Sequence, residues 1–309
     1  MLVAGLSLHR IKQTSKTHVP CRYRKYKGCF GRFTRYGRPE SSKLIKFNEE
    51  LSLTKEDNAK SFIYNLNLWI DNHPERILDF RKVEIVTLRG GLVLKAYIEE
   101  YYQRFKQKPR IKNPKSSKGK AIFQYLDITD FGIDCNQYED LSCWQIFSFD
   151  SITQREMNVP RKLKEEIIPT CWRNHEIQEN ESKAVATAVS EILFNCSEHA
   201  YQGKKKDSVF QKWYLGTGEY PETNRFTFCI YDKGQGFKES MIQNPGLWGI
   251  LANDKSKPDS YFIEKATRGV SGVVDAKNLG RGQGITSAIK EIRKVDGFIS
   301  IMSGFTAIG

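Results

Sequence analysis

Three short stretches of this chain combine residue types that could do chemistry. The first is Glu191, Asn195 and His199, spaced four apart. On a helix that spacing places them in one polar stripe, about 40° further round per step. A carboxylate and an amide one turn apart can reach into a cleft together. The carboxylate can orient and deprotonate a water, and the amide oxygen can ligate a hard cation such as Mg²⁺. The second stretch is Asp232-Lys233-Gly234-Gln235-Gly236. An aspartate followed by alternating glycines accepts a hydrogen bond from an amino group while the bare backbone lets a ligand come close. The third is Gly280-Arg281-Gly282-Gln283-Gly284. Glycines that open a helix expose backbone N–H groups, which bind phosphate oxygens. No GK[ST] follows, so this is not a P-loop, and the spacing is not the dinucleotide GxGxxG.

The elements around these stretches decide whether they can meet. Ser182–Tyr201 has Val185, Ala188, Val189, Ile192 and Cys196 on one apolar face, which predicts a helix with Glu191 and Asn195 at the border of a core. Arg225–Tyr231 alternates as a strand and runs straight into Asp232. Ile285–Lys294 predicts a helix that starts on the last glycine of the third stretch. The three stretches thus lie at a helix border, a strand end and a helix start, in that order.

Glu191-xxx-Asn195-xxx-His199-Ala200, then Asp232-x-Gly234-x-Gly236, then Gly280-x-Gly282-x-Gly284 resemble the three nucleotide-binding boxes of the GHKL, or Bergerat-fold, ATP-binding domain. That domain is shared by gyrase-type topoisomerases, chaperone ATPases, mismatch-repair ATPases and histidine kinases. The resemblance covers about residues 180–305 and implies an α/β fold, a C-terminal two-layer sandwich that binds Mg²⁺ and ATP. It makes Glu191 the general base, Asn195 the Mg²⁺ ligand and Asp232 the acceptor for the adenine amino group. Gly234 and Gly236 would let the nucleotide approach. Residues 237–279 would form an ATP lid closed off by Gly280, Gly282 and Gly284, with Lys233 and Arg281 as phosphate contacts. The family usually ends in a further strand with a Gly-Thr element, whereas this chain ends Ser303-Gly304-Phe305-Thr306-Ala307-Ile308-Gly309, so that strand is missing or comes from elsewhere.

The 309 residues carry a net charge of +13, unevenly spread. Residues 1–48 hold twelve Lys and Arg against Glu40 alone, a local +11, and the rest is nearly neutral. Tyr23, Tyr26, Phe30, Phe33 and Tyr36 recur among those cations. This reads as a basic arm for nucleic acid, by counterion release and base stacking, or for an acidic protein partner. Arg104–Lys120, with eight cations and no acid, reads as a solvated loop and only secondarily as a second phosphate contact. The seven cysteines form no regular framework, so reduced thiols and a cytoplasmic protein are expected. His18, Cys21 and Cys29 are the cluster to weigh for metal. No run approaches the length of a membrane span, and the opening MLVAGLSLHR lacks the basic start of a signal peptide.

Between the arm and the nucleotide boxes, helical spacing over Ala59–Asn72 and Gly91–Tyr102, a short helix near Ala121–Asp127, and strand-like runs Arg76–Phe80, Val83–Val86 and Trp144–Phe149 predict a small α/β domain over residues 49–150. It resembles a STAS-like domain, with Thr87 at the turn where several such domains carry a phosphorylatable serine. Residues 151–180 read as a polar linker. Three functions follow from the resemblance: an ATPase whose lid closure drives a change such as dimerisation, an ATP-sensing module whose working end is the arm, and a protein kinase.

Overall fold

The computed structural model describes residues 2–9, 44–53, 56–138, 141, 144–150, 165, 178–201, 211–220, 225–243, 256–268, 284–303 and 306–308. They form a mixed α/β protein with the following elements in chain order. Strand β1 is Leu2–His9, β2 Leu44–Lys46 and β3 Glu50–Leu51; helix α1, Glu56–Asn67, continues into a π-turn over Leu68–Asn72. Then come β4 Ile77–Asp79, β5 Ile85–Val86, α2 Leu88–Phe105, β6 Ile111–Lys112, α3 Ser117–Tyr125 and β7 Trp144–Asp150. The C-terminal part holds α4 Glu179–His199, β8 Lys212–Tyr220, β9 Arg225–Asp232, α5 Gly236–Gln243, α6 Asp259–Arg268, α7 Gly284–Arg293, β10 Phe298–Ser303 and β11 Thr306–Ile308.

The main sheet has six antiparallel strands in the order β11-β10-β1-β9-β8-β7. Its strands come from both ends of the chain. β1 lies between β9 and β10, with Leu2 opposite both Asp232 and Ser303. The first residues of the expected basic arm are therefore a strand of the nucleotide-box sheet. Leu44–Lys46, also assigned to the arm, pairs with β4 in a separate parallel sheet, β2-β4-β6. The remainder of the arm, with His18, Cys21 and Cys29, lies outside the described residues, as does most of the expected linker. At the other boundary, β7 joins the main sheet through β8, while its Trp144 and Ile146 pack in the core of the N-terminal module. The stretch expected as a basic loop contains β6 and the first turn of α3.

Alternation along the strands gives the sheet two different faces. Trp213, Leu215, Phe226, Phe228, Ile230 and Ile301 pack with Val185, Val189 and Ile192 of α4, Phe262 of α6 and Ile285 and Ala288 of α7 in one core. On the opposite face, Tyr214, Cys229, Tyr231 and Met302 join the core of the N-terminal module. That face, which a two-layer sandwich leaves open, is covered by α2.

Why α2 can lie there is written in two glycines. A Cβ at Gly216 of β8 would stand 2.1 Å from Leu92 Cδ1, so the bare strand admits the helix. A Cβ at Gly90 would stand 2.1 Å from the carbonyl oxygen of Leu51, so the start of α2 nests against β3. Thr87 caps the helix: its hydroxyl accepts from Gly90 N at 3.2 Å and donates to Leu51 O at 3.4 Å. Among the described residues no helix is long and apolar enough to cross a membrane.

Candidate nucleotide site

The site forms where α4, the end of β9 and the start of α7 meet. Helix α4 begins with Gln178 N donating to Glu181 Oε2 at 3.1 Å, and buries Val185, Ala188, Val189, Ile192 and Cys196 against the sheet. This burial turns the neighbouring stripe, Glu191 and Asn195, toward the N-terminus of α7. A Cβ placed on Gly284 would lie 2.9 Å from Asn195 Nδ2, 3.0 Å from Glu191 Oε2 and 3.5 Å from Asn195 Oδ1. Only a glycine lets the helix start come so close to both side chains. Burial raises the pKa of the Glu191 carboxyl above its ordinary value, which favours proton uptake over that of an exposed carboxylate. Asn195 Nδ2 is buried and finds no protein partner. A buried amide left unpaired is costly, and its pairing is expected from a ligand.

Asp232 ends β9 on the same face as Ile230 and Phe228 and is 1% exposed. Its Oδ1 accepts from Gly234 N at 2.7 Å, and its Oδ2 accepts from Cys196 Sγ at 3.4 Å. Burial, with the Asp232 carboxylate beside it, pushes the Cys196 thiol well up, so it stays a protonated donor. A carboxylate has about four lone-pair positions, more than these two bonds occupy. The turn after Asp232 is pinned to the end of α4. A Cβ at Gly234 would lie 2.3 Å from Ala200 O, and that oxygen also accepts from Gln235 N at 2.8 Å. Gly236 has φ +78°, a conformation that favours glycine, and starts α5. Phe237 N donates to the buried Ser303 hydroxyl at 3.1 Å, joining the turn to β10.

The sequence expectations fare unequally here. Glu191, Asn195 and Gly284 come together, and Asp232, Gly234 and Gly236 line the same end of α4. Lys233 takes another direction: its ammonium pairs with Glu100 of α2 and sits 3.4 Å above the Tyr97 ring, on the opposite face of the sheet. Lys233 follows the last residue of β9, and its side chain leaves on the side opposite Asp232. As placed, Lys233 is an interface residue. Gly280, Arg281 and Gly282 lie outside the described residues. The span expected as an irregular lid, 237–279, contains most of α5 and all of α6. Sequence reasoning missed Cys196 and Ser303 as polar parts of the site. Cys196 was visible as the neighbour of Asn195, whereas nothing local marked Ser303.

Among the described residues Cys135, Cys196 and Cys229 form no disulfide, and no group of three or more His, Cys, Asp or Glu could hold a metal ion. Against known proteins, residues 166–285 match the family model described as the histidine kinase-like ATPase domain. The match supports a GHKL-type ATP-binding domain in this part of the chain, with ATP as its expected ligand. It takes in α4, β8, β9, α5, α6 and the first residues of α7, and it begins inside the stretch expected as a linker. No curated protein and no solved structure gives a significant match.

Proposed function

We propose that the C-terminal half binds ATP with Mg²⁺ and hydrolyses it, and that the N-terminal half reads the nucleotide state. The observation that carries this reading is the placement of Gly284 against both Glu191 and Asn195. It brings a helix N-terminus, with its free N–H groups, beside a carboxylate with a raised pKa and an unpaired buried amide. In this assignment Asp232 accepts the adenine amino group, and Gly234 and Gly236 admit the base. The N–H groups at the start of α7 face the phosphates. Asn195 would turn its amide oxygen to hold Mg²⁺, which when bound neutralises phosphate charge. Glu191 orients a water and takes its proton as the water attacks the terminal phosphorus, the bond to the bridging oxygen breaks and ADP leaves with that oxygen.

Calorimetry with ATP, with and without Mg²⁺, tests the site before any question of turnover. The wild-type chain binds ATP, more tightly with Mg²⁺. Glu191→Ala keeps binding and loses phosphate release by about a hundredfold or more, the effect of removing a general base. Asp232→Asn loses both. Normal phosphate release by Glu191→Ala would refute the role given to Glu191. Radiolabelled γ-phosphate ending on protein instead of in water would make the reaction a kinase transfer.

A further inference from the structure

The face of the main sheet opposite the site carries a buried polar cluster that the proposed chemistry does not use. Glu100 of α2 is 3% exposed, yet both its oxygens are engaged: Oε2 by the Lys233 ammonium and Oε1 by Arg104. Arg104 also meets Asp71 at 3.1 Å. Beneath the ammonium, Tyr97 donates its hydroxyl to Asn67 Oδ1 at 2.5 Å, which fixes the ring on which Lys233 rests. The backbone of Lys233 is held as well: its N–H donates to Tyr201 Oη at 3.2 Å, and Tyr201 donates to Lys212 O at 2.5 Å. A buried ion pair of this kind loses about as much to desolvation as it gains in attraction, so stability alone does not account for it. What such a pair supplies is a fixed position for the backbone that carries it. Here that backbone is the residue between Asp232 and Gly234.

We propose that Glu100, from the N-terminal half, is a positioning residue of the nucleotide site, holding Lys233 and thereby the Asp232–Gly236 turn in the geometry that selects adenine. This rests on the reading of Asp232 as the acceptor for the base. The aspartate and the lysine are consecutive, so a shift of the Lys233 backbone moves the Asp232 carboxylate with it. Hydrogen-bond recognition of an amino group is sensitive to such shifts, whereas phosphate binding rests on the N–H groups of a different element, the start of α7. The site then needs both halves of the chain.

The test compares ATP with inosine triphosphate, which carries an oxygen in place of the adenine amino group, on the full chain. Wild type prefers ATP. Glu100→Gln weakens ATP about tenfold and leaves inosine triphosphate within about twofold, because only the hydrogen-bonded base is misplaced. Lys233→Met, which removes the less buried partner, produces the same selective loss and carries the test should Glu100→Gln fail to fold. The double variant loses no more than either single one, as expected for one shared interaction. Equal weakening of both nucleotides, or no weakening of either, would overturn the inference while wild type and Asp232→Asn still support the base acceptor. A wild-type chain with no preference between the two nucleotides would remove that acceptor role and the inference with it.

Discussion

The two faces of the six-stranded sheet are built on different physical terms. Toward α4, α6 and α7 the sheet presents Trp213, Leu215, Phe226, Phe228, Ile230 and Ile301, a continuous apolar surface whose polar groups gather at one end as the candidate site. Toward α2 it presents Tyr214, Gly216 and Tyr231, ringed by Lys95, Glu99, Glu100, Lys212 and Lys233. Apolar packing is strong but tolerates small slides, whereas hydrogen bonds and ion pairs have one good geometry. The first face holds the domain together, and the second fixes where the N-terminal half sits. A nucleotide-dependent change passed between the halves would have to break or remake these directional contacts.

Substitutions at glycines on the two faces sharpen the contrast, and the largest effect is expected at Gly234. Its added Cβ would stand 2.3 Å from Ala200 O, a backbone atom already fixed by Gln235 N. Neither partner can retreat without opening the turn. Gly234→Val should lower ATP affinity about a hundredfold or more, equivalent to about 2.7 kcal/mol, as measured by calorimetry. An affinity within threefold of wild type would mean that the turn does not contact the nucleotide.

At Gly216 the same crowding meets a more forgiving neighbour, since the atom 2.1 Å away is the end of the Leu92 side chain. Gly216→Ala should destabilise the chain by about 1–3 kcal/mol, the ordinary cost of overpacking, without touching the nucleotide side of the sheet. Combined with Leu92→Ala, it should cost less than the two single changes added together, because the clash disappears with the leucine. Additive losses in thermal unfolding would show that α2 does not lie on β8 at this point.

The directional contacts give a smaller effect. Tyr214 donates to Glu99 Oε2 at 2.8 Å, and Glu99 keeps Lys95 and Lys212 as partners when the hydroxyl is removed. Tyr214→Phe should therefore cost only about 0.5–1.5 kcal/mol by denaturant unfolding. A neutral result would place the weight of this interface on its apolar contacts and erase the distinction between the two faces.

How much of this was legible in the sequence depends on how far apart the partners lie. The apolar periodicity of α4 put Glu191 and Asn195 at the border of a core, and the alternation of Phe226, Phe228 and Ile230 put Asp232 at a strand end. Both are local patterns. Lys233 lies just past the end of β9, where strand alternation no longer fixes a side chain's direction, and its partner Glu100 is far away in the sequence. The strand Leu2–His9 was lost in a segment whose charge dominated its reading. Its partners are β9 and β10 near the other end of the chain, and a run of eight residues does not encode so distant a pairing. β6 and α3 were hidden in the same way among the cations of Arg104–Lys120. Cover for the second face of the sheet was not legible either, because Gly216 shows its purpose only once Leu92 is seen above it.

The smallest effect expected is in the pH dependence, and it separates the site from the packing around it. Burial raises the Glu191 pKa, so a general base at this position works only above a raised threshold. The acidic limb of the turnover profile should fall at a pH higher than the roughly 4.3 of an ordinary glutamate. The sign for stability is opposite. A carboxyl with a raised folded-state pKa favours folding in its protonated form, so its contribution is complete below the unfolded pKa and is lost as pH rises through the folded one. Over that window the chain should lose a little stability while gaining activity, and Glu191→Gln, fixed in the neutral form, should lose the stability change and the activity together. Parallel rise of stability and turnover with pH in the wild-type chain would show that the limb belongs to another group.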